Sequence, residues 1–139
     1  MSIIDAFRME GQVAIITGAG AGIGRGIAEV FAQAGASVVV SDLTVDKAEA
    51  VAAGIRAAGG KAAATACNVT DDAALAALVD FTLAQFGKVT TLVNNAGGGG
   101  PKPFDMPMSD FEWAYKLNVF SVFRLTQLCA PHMEKAGGG

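Results

Sequence analysis

The feature that most constrains the fold is a glycine-rich segment that follows an apolar run. Residues 13–16 are Val-Ala-Ile-Ile, and residues 17–24 are Thr-Gly-Ala-Gly-Ala-Gly-Ile-Gly. The apolar run predicts a buried strand, and apolar residues at helical spacing from Ile23 to Ala34 predict a helix behind the glycines. In such a turn, glycine lets the backbone approach a ligand closely, and free N–H groups at the helix start attract anions. The segment therefore predicts a pyrophosphate-binding turn.

Glycine spacing narrows the kind of site. The common dinucleotide pattern needs glycines at a first position, two later and five later, but Ile23 stands five after Gly18 and Arg25 five after Gly20. No Gly-Lys-Ser/Thr follows, which argues against a P-loop. The pattern that fits is Thr-Gly-x-x-x-Gly-x-Gly, with Gly18, Gly22 and Gly24 in its glycine positions. A structural glycine-rich turn without ligand is the alternative.

The rest of the chain alternates predicted strands and helices. Strands are expected at residues 13–16, 37–41, 62–66 and 89–93, and helices between them end near Gly35, Gly59 and Gly87. This alternation predicts an α/β fold, a Rossmann-like doubly wound parallel sheet with helices on both faces, followed by one long helix. At 139 residues we expect one dinucleotide-binding domain over residues 1–139.

Local signals also predict where two later helices begin. Thr70 is expected to cap the third helix, and Ser109-x-x-Glu112 has the form of a capping box. Residues 97–108 contain several glycines and prolines and are expected to form a loop over the carboxyl edge of the sheet.

Asp42 indicates which dinucleotide would bind. It stands 18 positions after Gly24, at the end of the second predicted strand and next to Leu43. A carboxylate there can accept hydrogen bonds from both adenosine ribose hydroxyls but repels a 2′-phosphate, so NAD is favoured over NADP. Arg25 could attract that phosphate or lie on the helix surface, and a simple turn-forming Asp is the alternative for Asp42.

Asn68 and Val69 end the third predicted strand and are assigned to the adenine pocket. The amide would bond the base edge, and the valine would pack on its face. An ordinary strand-end asparagine is the alternative.

The segment Asn94-Asn95-Ala96-Gly97, together with the glycine pattern, resembles the short-chain dehydrogenase/reductase family. The resemblance implies that Asn95, Ala96 and Gly97 border the nicotinamide ribose and brace the sheet, and that Gly18, Gly22, Ile23 and Gly24 hold NAD. It implies Asp more often than Asn at position 68. It also implies a catalytic role for Asn118, whose backbone holds a water that connects the catalytic lysine to solvent; a plain polar helix residue is the alternative.

Residues 97–108, Gly-Gly-Gly-Gly-Pro-Lys-Pro-Phe-Asp-Met-Pro-Met, are similar to those of bacterial family members that oxidise the 7α-hydroxyl group of bile acids with NAD. The resemblance implies NAD-dependent oxidation of a secondary alcohol, here a hydroxysteroid. The family's catalytic Ser and Tyr-x-x-x-Lys have no match in this sequence, because the sole tyrosine, Tyr115, is followed four residues later by Val119. We therefore expect an NAD-binding half that is inactive alone. The alternatives are an NAD-binding module without catalysis and an interaction fragment.

Charge and composition bound the partners and the compartment. The net charge of −3, without a basic cluster, argues against nucleic acid and anionic membranes. No apolar run approaches the roughly 18 residues of a spanning helix, and the start lacks a secretory signal, so we expect a cytoplasmic protein. Cys67 and Cys129 are expected to be buried and no metal is expected, while His132 is expected at the surface.

The resemblance also implies a homo-oligomer, because family members commonly pack the helix expected at residues 109–134 against its copy. We expect this helix to expose Trp113, Phe120 or Phe123 when it is alone.

Overall fold

The computed structural model describes residues 1–139 and has four parallel strands in the order β3-β2-β1-β4. The strands are β1 (Val13–Ile16), β2 (Ser37–Asp42), β3 (Lys61–Ala66) and β4 (Thr91–Val93). The helices are α1 (Gly22–Gln33), α2 (Val45–Ala57), α3 (Asp72–Phe86), α4 (Met108–Tyr115) and α5 (Ser121–Lys135), with a π-helical segment (Lys116–Phe120) between the last two and a short 3₁₀ helix (Asp5–Phe7) before β1. The predicted Rossmann-like fold is confirmed.

The order of the strands places the functional edge of the sheet. From β1 the chain moves outward to β2 and β3, then returns to pair β4 with the other side of β1. Ligands of open α/β sheets bind outside the carboxyl ends of the strands where the order reverses, here at β1 and β4. The glycine segment follows β1, and the Asn-Asn-Ala-Gly segment follows β4, so both lie at this edge.

The sheet is covered on both faces, which explains its unbroken apolar strands. Alternate residues of β1 and β2 face opposite cores. Ala14, Ile16 and Val38 pack with α1 and α2, while Ile15 and Val39 pack with α3 and α5. All four residues of β1 are buried.

The buried face of α1 differs from the apolar spacing in the sequence. Its buried residues are Gly24, Ala28 and Ala32, whereas Ile23 is 77% exposed and Val30 is also exposed. Small residues let the helix axis lie close to β1 and the glycine turn, so they occupy the face of α1 that contacts the sheet. The sequence predicted the helix correctly. Ile27 and Phe31 are half-buried and pack against the same core, so only part of the apolar spacing marks the packed side.

Two predicted helix starts are wrong. The α3 N-cap is Asp71, whose Oδ1 accepts the N–H of Ala73 at 3.0 Å, and the Thr70 hydroxyl donates instead to Asn68. Helix α4 begins at Met108, its N-cap is Pro107 with a non-helical ψ of 144°, and no side-chain cap is present. Ser109 therefore lies inside the first turn and cannot act as the cap of a capping box.

The long helix extends from residue 108 to 135, which confirms its predicted position, but it is interrupted by the π-helical segment. The expected exposure of Trp113, Phe120 and Phe123 is confirmed. β4 is shorter than predicted, because regular pairing begins at Thr91, although Thr90 already donates its N–H to the Val13 carbonyl at 3.0 Å. None of the helices has the length and apolar character required to cross a membrane.

Both cysteines are buried free thiols, as predicted, while His132 is half-buried. Burial raises the pKa of Cys67 and of Cys129 from the usual 9.0 to about 11. The thiolate, not the thiol, is the reactive form, so burial and the raised pKa both suppress reaction.

At pH 8 we expect both thiols of the folded chain to react with a disulfide reagent at least about tenfold more slowly than in urea. Because folding raises the two pKa values, their contribution to stability is full below pH 9 and falls as the pH rises from 9.0 towards about 11. A Ser109→Cys variant adds an exposed thiol and should react fast in the folded state. Equal rates in folded and unfolded wild-type chains would contradict this expectation.

Candidate functional site

Thr17 joins the ends of β1 and β4. Its N–H donates to the Val93 carbonyl at 3.1 Å, and its Oγ1 accepts the N–H groups of Asn95 at 3.1 Å and Ala96 at 2.9 Å. The side chain is buried, so loss of the hydroxyl would leave two backbone donors without their acceptor. Thr17 thus fixes the first residue of the glycine turn relative to the Asn-Asn-Ala-Gly segment.

Asn95 completes this connection from the opposite side. Its Nδ2 donates to the carbonyl oxygens of Thr17 at 3.0 Å and Gly18 at 3.1 Å. Two segments nearly 80 residues apart are therefore held by four hydrogen bonds between Thr17 or Gly18 and Asn95 or Ala96. The shape of the glycine turn depends on both segments.

Glycine is required at several positions of the turn, and Gly18 and Gly24 show why. Gly18 has φ +62°, and a Cβ at this residue would lie 3.0 Å from the Ala96 Cα. A Cβ on Gly24 would lie 2.4 Å from the Gly18 carbonyl oxygen and 2.5 Å from Asn95 Nδ2. No side chain fits at Gly24 unless the turn moves, so α1 can begin this close to β4 only with glycine there.

The start of α1 presents unsatisfied donors. The backbone N–H groups of Gly22, Ile23 and Gly24 have no acceptor within the chain, and Ala21 at the N-cap contributes no side-chain hydrogen bond. The first turn also contains no acidic residue. These donors and the positive end of the helix dipole fit a pyrophosphate.

Asp42 lies beside the glycine turn at the end of β2. Its Oδ2 accepts the N–H of Gly20 at 3.0 Å, and its Oδ1 accepts the N–H of Thr44 at 3.3 Å. The carboxylate is partly exposed, and Leu43 next to it is exposed. This geometry leaves carboxylate lone pairs for ribose hydroxyl groups while the turn holds the side chain in place.

Arg25 is paired on the surface of α1, where its Nε donates to Glu29 Oε1 at 2.7 Å. The structure therefore favours the helix-surface alternative for Arg25 over attraction of a 2′-phosphate.

Asn68 and Val69 lie where β3 ends, next to β2. The Asn68 Oδ1 accepts the N–H of Thr70 at 3.1 Å and its hydroxyl at 2.7 Å. The amide oxygen is thus used locally, and the amide nitrogen is the group that stays free for a base edge. Val69 is largely buried in the core on the α3 side of the sheet.

Asn118 lies in the π-helical segment, and its side chain forms hydrogen bonds with the loop that follows β4. Its Oδ1 accepts the N–H of Gly98 at 3.0 Å, and its Nδ2 donates to the carbonyls of Gly98 and Ala114, each at 2.9 Å. A Cβ on Gly97 would lie 2.7 Å from Asn118 Oδ1, so glycine permits this contact. π-Helical turns often occur at functional sites, because they redirect side chains and free backbone groups.

The chain matches the family model described as short chain dehydrogenase over residues 12–139. It belongs to the short-chain dehydrogenase family. It is 62% identical to the 7α-hydroxysteroid dehydrogenase of Escherichia coli K12 over 97% of this chain and 53% of that protein. It is 36% identical to the D-threitol dehydrogenase of Mycolicibacterium smegmatis, over 100% of this chain and 54% of that protein. The chain spans about half the length of these curated relatives.

Solved structures of the family show the same arrangement of elements. A 7α-hydroxysteroid dehydrogenase complexed with NADH and 7-oxo glycochenodeoxycholic acid superposes with a TM-score of 0.97 at 60% identity, covering 100% of this chain and 55% of that one. A hydroxysteroid dehydrogenase from Escherichia coli superposes with a TM-score of 0.95 at 61% identity, covering 97% of this chain and 57% of that one.

The structure brings most of the predicted site residues to one edge. The glycine turn and the start of α1 contain Gly18, Gly22 and Gly24. The first residues of this turn are hydrogen-bonded to Asn95 and Ala96. Sequence reasoning missed two groups: the Thr17 hydroxyl, and Gly20 as the partner of Asp42. The only sequence signal for the Thr17 hydroxyl is a threonine before the first glycine. The contact between Gly20 and Asp42 depends on how β2 is placed beside β1, which the sequence does not show.

We expect Gly24→Ala to destabilise the fold by about 1–3 kcal/mol, because its Cβ overlaps the Gly18 carbonyl. Gly26→Ala is the matched control in the same helix, where a Cβ meets nothing within 4 Å. The control should stabilise the chain by up to about 1 kcal/mol through helix propensity. Urea unfolding followed by circular dichroism measures both, and equal effects of the two substitutions would contradict the close packing at Gly24.

Proposed function

We propose that residues 1–139 form the NAD-binding half of a short-chain dehydrogenase that oxidises a secondary alcohol. The observation that carries this proposal is the glycine turn, which leads into three free N–H groups at the start of α1 and whose Gly20 N–H donates to the Asp42 carboxylate. The substrate class we propose is a 7α-hydroxy bile acid. The 62% identity to a 7α-hydroxysteroid dehydrogenase supports it, as does the similar structure that holds NADH and a 7-oxo bile acid.

Each part of the edge has a proposed task in holding the dinucleotide. The N–H groups of Gly22, Ile23 and Gly24 bind the pyrophosphate, and the Asp42 carboxylate accepts the adenosine ribose hydroxyls, with Leu43 beside it. Asn68 and Val69 contact the adenine. Ala96 and Gly97 border the nicotinamide ribose, where Thr17 and Asn95 fix their backbone. NAD, when bound, accepts a hydride from the carbinol carbon of the substrate.

Asn118 acts in this proposal through its backbone and its side chain. The side chain holds Gly98 and so orients the loop that follows the nicotinamide edge. The family resemblance adds a backbone group that binds a water leading to the catalytic lysine. The distorted helix around Asn118 supports this role, because a π-helical turn alters the pairing of nearby carbonyl groups.

Catalysis needs a general base that residues 1–139 do not provide in the family's form. Tyr115, the sole tyrosine, has Phe111 at 5.0 Å and Phe120 at 6.3 Å between ring centroids, and no lysine stands four residues later. The two phenylalanine rings offer no group that could exchange a proton with the phenol, and we assign Tyr115 no catalytic role. We therefore propose that these residues alone bind NAD without turning over substrate.

Calorimetric titration tests the cofactor proposal directly. NAD should bind the 139-residue chain, and Asp42→Ala should weaken binding by about tenfold or more because the ribose loses a charged acceptor. Asp80→Ala removes an exposed carboxylate on α3 and is the matched control, with affinity unchanged. Addition of a 7α-hydroxy bile acid should yield no reduced cofactor. Absence of NAD binding would contradict the proposed function.

We further propose that copies of the chain associate through residues 109–134. Large side chains along α4, the π-helical segment and α5 are exposed, including Trp113, Phe120 and Phe123, and such a patch favours burial against a partner. The exposed apolar row also supports the alternative reading of the chain as an interaction module.

Sedimentation distinguishes these readings. The wild-type chain should sediment as an oligomer, and Phe123→Asp should shift it towards the monomer because a charge enters an apolar contact. Phe104→Asp changes a fully exposed phenylalanine in the loop before α4 and should leave the oligomer intact. A monomeric wild-type chain that binds NAD would favour a module without self-association.

A further inference from the structure

Lys47 lies at the adenosine side of the proposed cofactor site. It belongs to the first turn of α2, and a Cβ on Gly20 would lie 2.8 Å from the Lys47 Cβ and equally 2.8 Å from the Asp42 Cγ. The side-chain stem of Lys47 thus begins next to both the glycine turn and the carboxylate that we assign to the ribose. No sequence motif marks this residue, because only the packing of α2 against the turn brings it there.

Lys47 is also a free cation. It is exposed and takes part in none of the six ion pairs of the chain. The Asp42 carboxylate beside it instead accepts backbone N–H groups from Gly20 and Thr44. Arg25, the other cation near the glycine turn, is paired with Glu29. A flexible ammonium group is therefore available where the adenosine ribose would lie.

The two nicotinamide dinucleotides differ at this ribose, which carries a 2′-hydroxyl in NAD and a 2′-phosphate in NADP. Asp42 binds the hydroxyl and repels the phosphate. A lysine acts as a mobile point charge for phosphate, and its four-carbon stem can swing towards a group near its own Cβ. The charges at positions 42 and 47 thus have opposite effects on the same phosphate.

We infer that Lys47 is a second cofactor-specificity residue, whose ammonium group attracts the 2′-phosphate that Asp42 repels. The inference rests on the proposed function, because it requires the glycine turn to hold a nicotinamide dinucleotide. Asp42 then favours NAD against the attraction of Lys47 for the 2′-phosphate, and loss of the Asp42 charge leaves a site that accepts NADP.

A double-mutant cycle tests this inference by calorimetric titration with NAD and with NADP. Asp42→Asn removes the charge and keeps an oxygen that can accept the Gly20 N–H. It should bind NADP about tenfold or more tightly than the wild type does. Adding Lys47→Gln should remove most of that gain, while Lys47→Gln alone should leave NAD affinity within about twofold. The gain should also shrink at high salt, since an exposed charge contact is screened.

Lys61→Gln in the Asp42→Asn background is the matched control. Lys61 is an exposed lysine at the start of β3, the opposite edge of the parallel sheet, so the NADP gain should persist. Thermal melting verifies that each variant folds, and Asp42→Ser replaces Asp42→Asn if the latter does not.

The outcomes separate the two proposals. Equal NADP affinity of Asp42→Asn and Asp42→Asn/Lys47→Gln overturns the role of Lys47 while NAD binding by the wild type still supports the proposed function. The role of Lys47 is also overturned if Asp42→Asn does not bind NADP more tightly than the wild type. The same holds if Lys61→Gln lowers the NADP affinity of Asp42→Asn as much as Lys47→Gln does. A wild-type chain that binds neither dinucleotide overturns both proposals.

Discussion

The hydrogen bonds between Thr17 and the segment after β4 are the constraint on which the site depends. A glycine turn is flexible by composition, and here its first residues are fixed by Asn95 and Ala96 rather than by their sequence neighbours. The bonds are partly buried, and an unpaired group at the buried Thr17 side chain would be costly. The free N–H groups of α1 are therefore held in a defined position relative to the end of β4.

The same constraint explains why small residues occupy the inner face of α1. A helix that starts immediately beside the end of β4 has no room for a side chain at Gly24. The same face of α1 continues through Ala28 and Ala32, which pack against the sheet. Because α1 lies close to the sheet, its positive end is near the strand ends, where it can attract an anionic ligand most strongly. Packing and anion binding thus require the same residue types.

The sequence predicted the fold well because its signals are local: apolar runs, glycines that close helices, and a fingerprint behind β1. It also placed the candidate site residues at one edge, since parallel strands end together. It failed where tertiary contacts decide between neighbours. Thr70 is not the cap because its hydroxyl donates to Asn68, and Ser109 is not the cap because α4 begins at Met108, with Pro107 two residues before Ser109 at the N-cap. The partnership of Gly20 with Asp42 needs the spacing between two strands, which no local pattern contains.

The π-helical segment has a further consequence for the geometry of the long helix. Such a segment amounts to one extra residue in an α-helix, and one residue corresponds to about 100° of rotation about the axis. The helical phase before Asn118 is therefore offset from the phase after it. This offset lets the Asn118 side chain form hydrogen bonds with the Gly98 backbone. Further along the helix, Leu125 and Cys129 are still buried in the core. A single-residue deletion there would restore regular winding and force the helix to give up one of those two alignments.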